Sequence, residues 1–186
     1  MNSVPCPTAL LLTGPPGCGK TTALKNALAG SGVYAGGFYT EEIRERGSRL
    51  GFRIVTIDGR TAVLAHVDIK SRHRVSKYGV DVDTLRSVAV TAIEDAVRNR
   101  DVVVIDEIGK MELLSGDFRR AVCEALDSRA RVLGTIMLAP NKWADAIKHR
   151  PDVRVVSLDI GNRGSVVDDL VGWLQEPARE HQKLER

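Results

Sequence analysis

No stretch of this sequence is apolar for long. The longest apolar runs, such as Ala9–Thr13 and Val102–Ile105, have the length of a β-strand and fall far below the roughly 18–20 residues that a membrane span needs. No membrane is therefore expected as a partner. Met1–Pro7 lacks the basic region and apolar core of a signal peptide, so a cytoplasmic location is expected. Cysteine is scarce as well: Cys6, Cys18 and Cys123 are odd in number and show no C-x-x-C spacing, which indicates neither a disulfide framework nor a zinc site. An excess of one charge is missing too. With 27 Lys and Arg against 24 Asp and Glu, net charge points to no nucleic acid or anionic surface, and any such partner has to be argued locally. The sequence names no protein partner.

What is present suits one folded α/β domain. The chain has 186 residues, enough for a single buried sheet and too few for two comfortable domains. A composition of 43% hydrophobic and 27% charged residues is that of an ordinary globular protein. Apolar runs at Ala9–Thr13, Val102–Ile105, Val132–Met137 and Val153–Leu158 alternate with helical periodicity, the pattern of a mostly parallel, doubly wound sheet. Helices are expected at Thr21–Ser31, Asp83–Asn99, Asp117–Asp127, Lys142–His149 and Ser165–Leu174. Between the first helix and Val67 the runs Gly37–Ile43, Leu50–Ile57 and Thr61–Val67 are broken by Arg46-Gly47-Ser48 and by Asp58-Gly59. They predict an inserted antiparallel ribbon over about 37–67, since Asp-Gly is a strong hairpin signal. Asp68–Gly79, with five basic residues between Lys70 and Lys77, reads as a basic loop. The domain is expected to occupy residues 1–175, and the charged tail 176–186 to fray.

Gly14-Pro15-Pro16-Gly17-Cys18-Gly19-Lys20-Thr21 fits G-x-x-x-x-G-K-[ST] at every defined position, between an expected strand and an expected helix. The motif requires that setting. Glycines let the backbone turn its N–H groups inward on phosphate oxygens, and the positive end of the helix favours an anion. Lys20 is expected on the β- and γ-phosphates. Thr21 is expected on Mg²⁺. The whole loop, with Thr22 after it, is the expected phosphate cradle. Cys18 lies inside this loop, so thiol-directed reagents are expected to inhibit and nucleotide to protect.

The apolar run Val102–Ile105 ends in Asp106-Glu107, and in open parallel sheets ligands bind beyond the carboxyl ends of the strands. Asp106 is expected to join the Mg²⁺ shell, and Glu107 to orient or deprotonate an attacking water. Lys110 and Glu112 follow closely; they either pair with each other or set the charge of the site.

Taken together, Leu12–Thr22, Gly37-Phe38-Tyr39-Thr40-Glu41-Glu42-Ile43-Arg44, Arg49-Leu50-Gly51-Phe52, Ile105–Leu113, Gly134-Thr135-Ile136 and Asn162-Arg163 resemble the small nucleoside-triphosphatase family known as cancer-related or thermophile nucleoside-triphosphatases. The phosphate loop is widely shared, whereas Gly-Phe-Tyr-Thr-Glu-Glu and Asp-Glu-Ile-Gly-Lys-Met-Glu-Leu occur in few families. The resemblance implies slow, Mg²⁺-dependent hydrolysis of ATP, GTP and other nucleoside triphosphates, CTP and UTP among them, to diphosphate and phosphate with little base selectivity.

Two other readings use the same loop. A nucleoside, nucleotide or polynucleotide kinase would pass the γ-phosphoryl group to a hydroxyl, and the basic stretch Lys70–Lys77 is the feature that suggests it. A nucleotide-driven switch would use slow hydrolysis to time a partner interaction. Phosphoryl transfer also calls for one more cation. Arg44, at the end of the Gly37–Ile43 run, is the first choice for a finger over the γ-phosphate, and Arg49, opening the return strand, is the second.

Overall fold

The computed structural model describes residues 7–176; the expected leader-free start and the expected frayed tail lie almost wholly outside them. One nine-stranded sheet organises the chain. Its strands are β1 (Ala9–Thr13), β2 (Ala35–Glu45), β3 (Ser48–Thr56), β4 (Thr61–His66), β5 (Arg74–Val75), β6 (Tyr78–Val80), β7 (Val102–Ile108), β8 (Arg131–Ile136) and β9 (Val153–Ser157). They lie in the order β5-β6-β4-β3-β2-β7-β8-β1-β9. From β2 to β9 the neighbours run parallel, and from β2 to β5 antiparallel.

The parallel half is buried on both faces, which is why β1 and β7 read as unbroken apolar runs rather than alternating ones. Ala9, Leu11, Val103 and Ile105 face one core. Leu10, Leu12, Val102 and Val104 face the other. The first core is closed by α3 (Thr91–Asn99), α4 (Gly116–Leu126) and α5 (Lys142–Lys148), and the second by α1 (Lys20–Ser31) and α6 (Arg163–Gln175). Trp143 packs against the first core, anchoring a short α5 that Asn141 caps through Trp143 N and Ala144 N.

The helix expected at 83–99 is assembled from α2 (Val82–Thr84), a π-helical segment Leu85–Val90, and α3. The wider π turn shifts the buried stripe: Val90 enters the core, while Val88, which a strict 3.6 period would bury, is only partly covered. The expected basic loop also holds more order than its composition suggested. Arg74–Val75 and Tyr78–Val80 pair as a hairpin, and Tyr78, Gly79 and Val80 are buried because Val80 and Gly79 extend the sheet from β4. A two-residue strand has no periodicity to read, so composition alone pointed to a loop.

The ribbon is continuous with the core. β2 pairs parallel with β7 from Ala35–Val102 to Tyr39–Asp106, then runs on to Glu45 against β3. It therefore overshoots the carboxyl edge of the parallel sheet, carrying Glu41, Glu42, Arg44 and Arg49 beyond it. Arg46 (φ 46) and Gly47 (φ 82) form the tip, both left-handed as a tight hairpin turn with right-handed twist requires.

Candidate active site

Four elements meet at the carboxyl edge: the loop after β1, the start of α1, the end of β7 and the overshooting ribbon. Together they line a cleft of about 1260 Å³. Gly14 is needed in the loop because a Cβ there would stand 2.3 Å from the carbonyl oxygen of Leu158. Gly19 caps α1 at φ 98, and the first turn of α1 carries no acidic residue, which leaves the positive end of the helix free for an anion. The ammonium of Lys20 folds back on its own loop, donating to the carbonyls of Gly14 at 3.0 Å and Pro15 at 3.3 Å. These are positions that phosphate oxygens can take over. Thr22 and Pro16 also line the cleft, while Cys18 is buried. The loop is braced from behind by Arg163 at the start of α6, whose Nε donates to the carbonyl of Cys18 at 2.6 Å.

Asp106 is almost fully buried, 1% exposed. Thr21 donates its hydroxyl hydrogen to Oδ2 and Thr135 donates to Oδ1, both at 2.5 Å. Burial pushes the Asp106 carboxyl above its ordinary range, against the pull of Thr135, Thr21 and Lys20. Glu107 is likewise raised by burial, with Lys20 drawing it back and Asp106 adding to the rise. The peptide bond between these two acids is cis. A hydroxyl and a carboxylate facing each other form an all-oxygen donor pair, which fits Mg²⁺. Thr21 and Asp106 are the residues that can hold that ion.

Glu112 is the surprise in this site. It is 5% exposed and lines the cleft, and burial pushes its carboxyl up to about 8, opposed by the backbone N–H groups of Glu112 and Gly109 and reinforced by Glu107 and Asp106. A point where a Cβ of Gly109 would stand lies 3.0 Å from Glu112 Oε2 and 3.1 Å from Glu107 Oε1, so the two carboxylates flank one glycine. Lys110 does not pair with it; among the described residues Lys110 has no hydrogen bond, ion pair or ring contact, and its side chain lines the cleft.

The two arginines chosen as fingers also line the cleft but are engaged elsewhere. Glu42 holds both, Arg44 Nε at 2.6 Å and Arg49 Nη1 at 2.5 Å. Arg44 donates further to the carbonyl of Gly47 at 3.1 Å. Along β2, Arg44 stands five residues past Tyr39, the residue opposite Asp106, which is about 17 Å at roughly 3.3 Å per residue. Thr135 and Arg163 entered the sequence reading only within the resembling stretches and carried no role there, whereas Glu112 was expected to pair with Lys110 or to set the charge of the site. A threonine closing the apolar run Val132–Gly134 was the one local signal for Thr135, and nothing in the neighbouring residues marked Arg163 as a brace or Glu112 as buried.

A parallel α/β sheet with this loop at β1 and a buried acid at the end of β7 defines a P-loop nucleotide-binding protein. More narrowly, the chain belongs to the family described as NTPase, whose sequence model matches residues 9–171. It is 43% identical over 166 residues to the nucleoside-triphosphatase THEP1 of Thermotoga sp. (strain RQ2), covering 89% of this chain and 95% of that protein. To the cancer-related nucleoside-triphosphatase of Homo sapiens it is 38% identical over 182 residues, covering 89% and 96%. The crystal structure of THEP1 from Aquifex aeolicus superposes with a TM-score of 0.82 at 33% identity, over 90% of this chain and 99% of that one. The solution structure of the human cancer-related enzyme gives 0.76 at 38% identity, over 92% and 99%. Among the described residues no helix is long and apolar enough to cross a membrane.

Proposed function

We propose that this chain hydrolyses nucleoside triphosphates, ATP, GTP, CTP and UTP alike, to nucleoside diphosphate and phosphate, slowly and with Mg²⁺. The observation that carries the reading is the juxtaposition of an uncapped α1 N-terminus with two carboxylates, Asp106 buried and Glu107 half-buried: one end of the cleft attracts polyphosphate, and the other offers a metal ligand and a base. Lys20 leaves the carbonyls of Gly14 and Pro15 and turns to the β- and γ-phosphate oxygens. Thr21 and Asp106 hold Mg²⁺, which when bound offsets charge on those oxygens. Glu107, whose carboxyl burial raises above its ordinary range, orients the attacking water and takes its proton. The water oxygen bonds to the γ-phosphorus as the bond to the β-phosphate oxygen breaks.

The test is phosphate release from the common triphosphates. Lys20→Ala is expected to lose nearly all turnover with its fold intact, because the side chain acts on developing phosphate charge and not on packing. Glu107→Gln is expected to bind Mg²⁺–triphosphate while kcat falls by about 10² or more. Turnover at the wild-type level in Lys20→Ala would overturn the reading. Loss of binding in Glu107→Gln with an unchanged rate per bound complex would make Glu107 a binding group.

A further inference from the structure

Resting on the phosphate-loop reading above, we infer that the loop after β9 seats the nucleobase: Ile160 and the guanidinium of Arg163 form a platform on which any of the four bases lies flat, without hydrogen bonds to its edge.

The direction of the nucleotide is the first argument. Its γ-phosphate belongs beside Asp106 and Glu107, where the cation and the attacking water act. Those acids stand near the end of β7, two places from β1 in the sheet, and β9 stands one place from β1 on the other side. The ends of β7 and β9 are thus three strand spacings apart, roughly 14 Å at about 4.8 Å each. The rest of the triphosphate and a ribose span that distance, so the base arrives over the loop that follows β9.

The second argument is how that loop is held. At its start the Leu158 carbonyl stands where a Cβ on Gly14 would clash, and Leu158 N donates to the Thr13 carbonyl at 2.7 Å. At its end Arg163 lies across Gly19, with Cζ 3.3 Å from the point a Cβ would take, and its Nε donates to the Cys18 carbonyl at 2.6 Å. Gly14 and Gly19 both line the cleft, so the loop begins where the cleft ends. Neither Nη of Arg163 has a hydrogen-bond or ion-pair partner among the described residues, and a planar cation stacks well on a flat ring. Ile160, 76% exposed, is the most exposed large hydrophobic side chain among the described residues. A lone exposed isoleucine is ordinary on a surface. One carried on a loop tied at both ends to the phosphate cradle stands where a base would cover it.

The loop also keeps little with which to read a base. Asp159 Oδ1 accepts from Gly161 N at 2.7 Å and from Asn162 N at 3.0 Å. Asn162 Oδ1 accepts from Asp159 N at 2.9 Å, and its Nδ2 donates to the Ser157 carbonyl at 2.9 Å. These bonds fix the shape of the loop and use up the Asn162 amide and three backbone N–H groups that could otherwise meet the edge of a base. Stacking contact discriminates weakly, since every base has a π-face. Low base selectivity then follows from the loop's own hydrogen bonding.

Calorimetry with Mg²⁺ and ADP, GDP, CDP or UDP tests the platform without turnover, and inorganic pyrophosphate is the probe that lacks ribose and base. Ile160→Ser, a neutral change at an exposed position, is expected to weaken all four diphosphates by about tenfold and to leave pyrophosphate binding unchanged. Ile160→Trp is expected to tighten ADP and GDP by about threefold or more, and CDP and UDP less, because a wider face stacks better on a wider base. In steady-state kinetics Ile160→Ser is expected to raise KM for every triphosphate far more than it lowers kcat. Unchanged diphosphate binding in Ile160→Ser, or an equal loss for pyrophosphate, overturns the inference. Weakening in Ile160→Ser with no gain in Ile160→Trp puts the ribose on Ile160 in place of the base and overturns it as well. GDP bound about tenfold or more tighter than the other three would mean that the second Asp159 oxygen reads guanine, which a platform without readout excludes. Absence of phosphate release from any triphosphate removes the hydrolytic reading alone, because the platform is scored on binding.

Discussion

Thr21 and Asp106 are 85 positions apart in the chain and share a hydrogen bond of 2.5 Å. The bond joins the first turn of α1 to the last residues of β7, so the two groups proposed to hold Mg²⁺ already stand side by side. Its acid is buried, and burial raises its proton affinity; the ionised form is therefore a burden on the native state. The folded pKa lies above the unfolded one, which means that stability is greatest below the ordinary aspartate range and is lost as the pH rises through the folded value. At neutral pH and without ligands, Asp106→Asn is expected to melt higher than wild type, by about 2–4 °C for each kcal/mol gained. The rise in melting temperature that Mg²⁺–ATP confers on wild type is expected to vanish in the variant. Calorimetry with and without Mg²⁺–ATP measures both, and an undiminished ligand shift would remove Asp106 from the cation site.

Lys110 and Arg44 compete for the role of transition-state cation. Lys110 lines the cleft with no partner among the described residues, whereas Arg44 would have to leave Glu42 and Gly47 and travel along the ribbon. Lys110→Ala is expected to lower kcat by about 10² with little change in KM, the pattern of an interaction made mainly in the transition state. Arg44→Ala is expected to have less effect on kcat. The reverse ranking in steady-state kinetics would return the role to Arg44 and imply that the ribbon tip bends over the γ-phosphate.

For Glu112 the sign of the pH effect is fixed by its burial. A pKa of about 8 in the folded chain, against an ordinary value of 4.5, keeps the carboxyl protonated at neutral pH and makes its ionisation oppose folding. Stability from this group is full below about pH 4.5, declines between there and pH 8, and is gone above. Glu112→Gln removes the titration. Its stability relative to wild type is expected to grow from pH 6 to pH 9 by a few kcal/mol at most, at about 1.4 kcal/mol per pH unit in the steep part. Urea unfolding of both proteins without nucleotide or divalent ion reads the difference directly; a pH-independent difference would mean that Glu112 titrates normally.

Arg163 braces the phosphate loop through the carbonyl of Cys18, and the Cys18 thiol is only 5% exposed. A thiol reagent reaches it only when the loop opens, so Arg163→Ala is expected to speed Cys18 modification by about tenfold, corresponding to roughly 1.4 kcal/mol lost from a charge-assisted hydrogen bond. Mg²⁺–ATP is expected to slow the reaction in both proteins. Mass spectrometry of the modified peptide gives the rate at Cys18 apart from that at Cys123. Equal rates in wild type and variant would show that the brace does not control opening.

How much of this was legible from the chain alone follows from the range of the forces involved. Gly14–Thr21 could be read as a phosphate cradle because its geometry is local: eight adjacent residues hold both the turn and the helix start. The alternation of apolar runs with helical periodicity likewise carried the parallel core, since a strand buried on both faces must be apolar throughout. Val102–Ile105 and the acids after it were placed at the carboxyl edge by that reasoning and stand there.

Contacts between distant segments were decided only by the tertiary structure. The pairing of Tyr39 with Asp106 is a matter of register between strands separated by two hairpins and a helix, and it alone makes β2 overshoot the core and carry Arg44 away from the acids. The hairpin at Arg74–Val75 and Tyr78–Val80 exists because β4 offers an edge to extend, an opportunity with no trace in twelve mostly polar residues. Glu112 reads in the sequence as a partner of Lys110 or a charge near the site, since charged residues are seldom fully buried, and it is buried only because the turn after β7 folds it beside Glu107. Local chemistry is written in neighbouring residues; charge burial and register come from segments that meet only when the sheet closes.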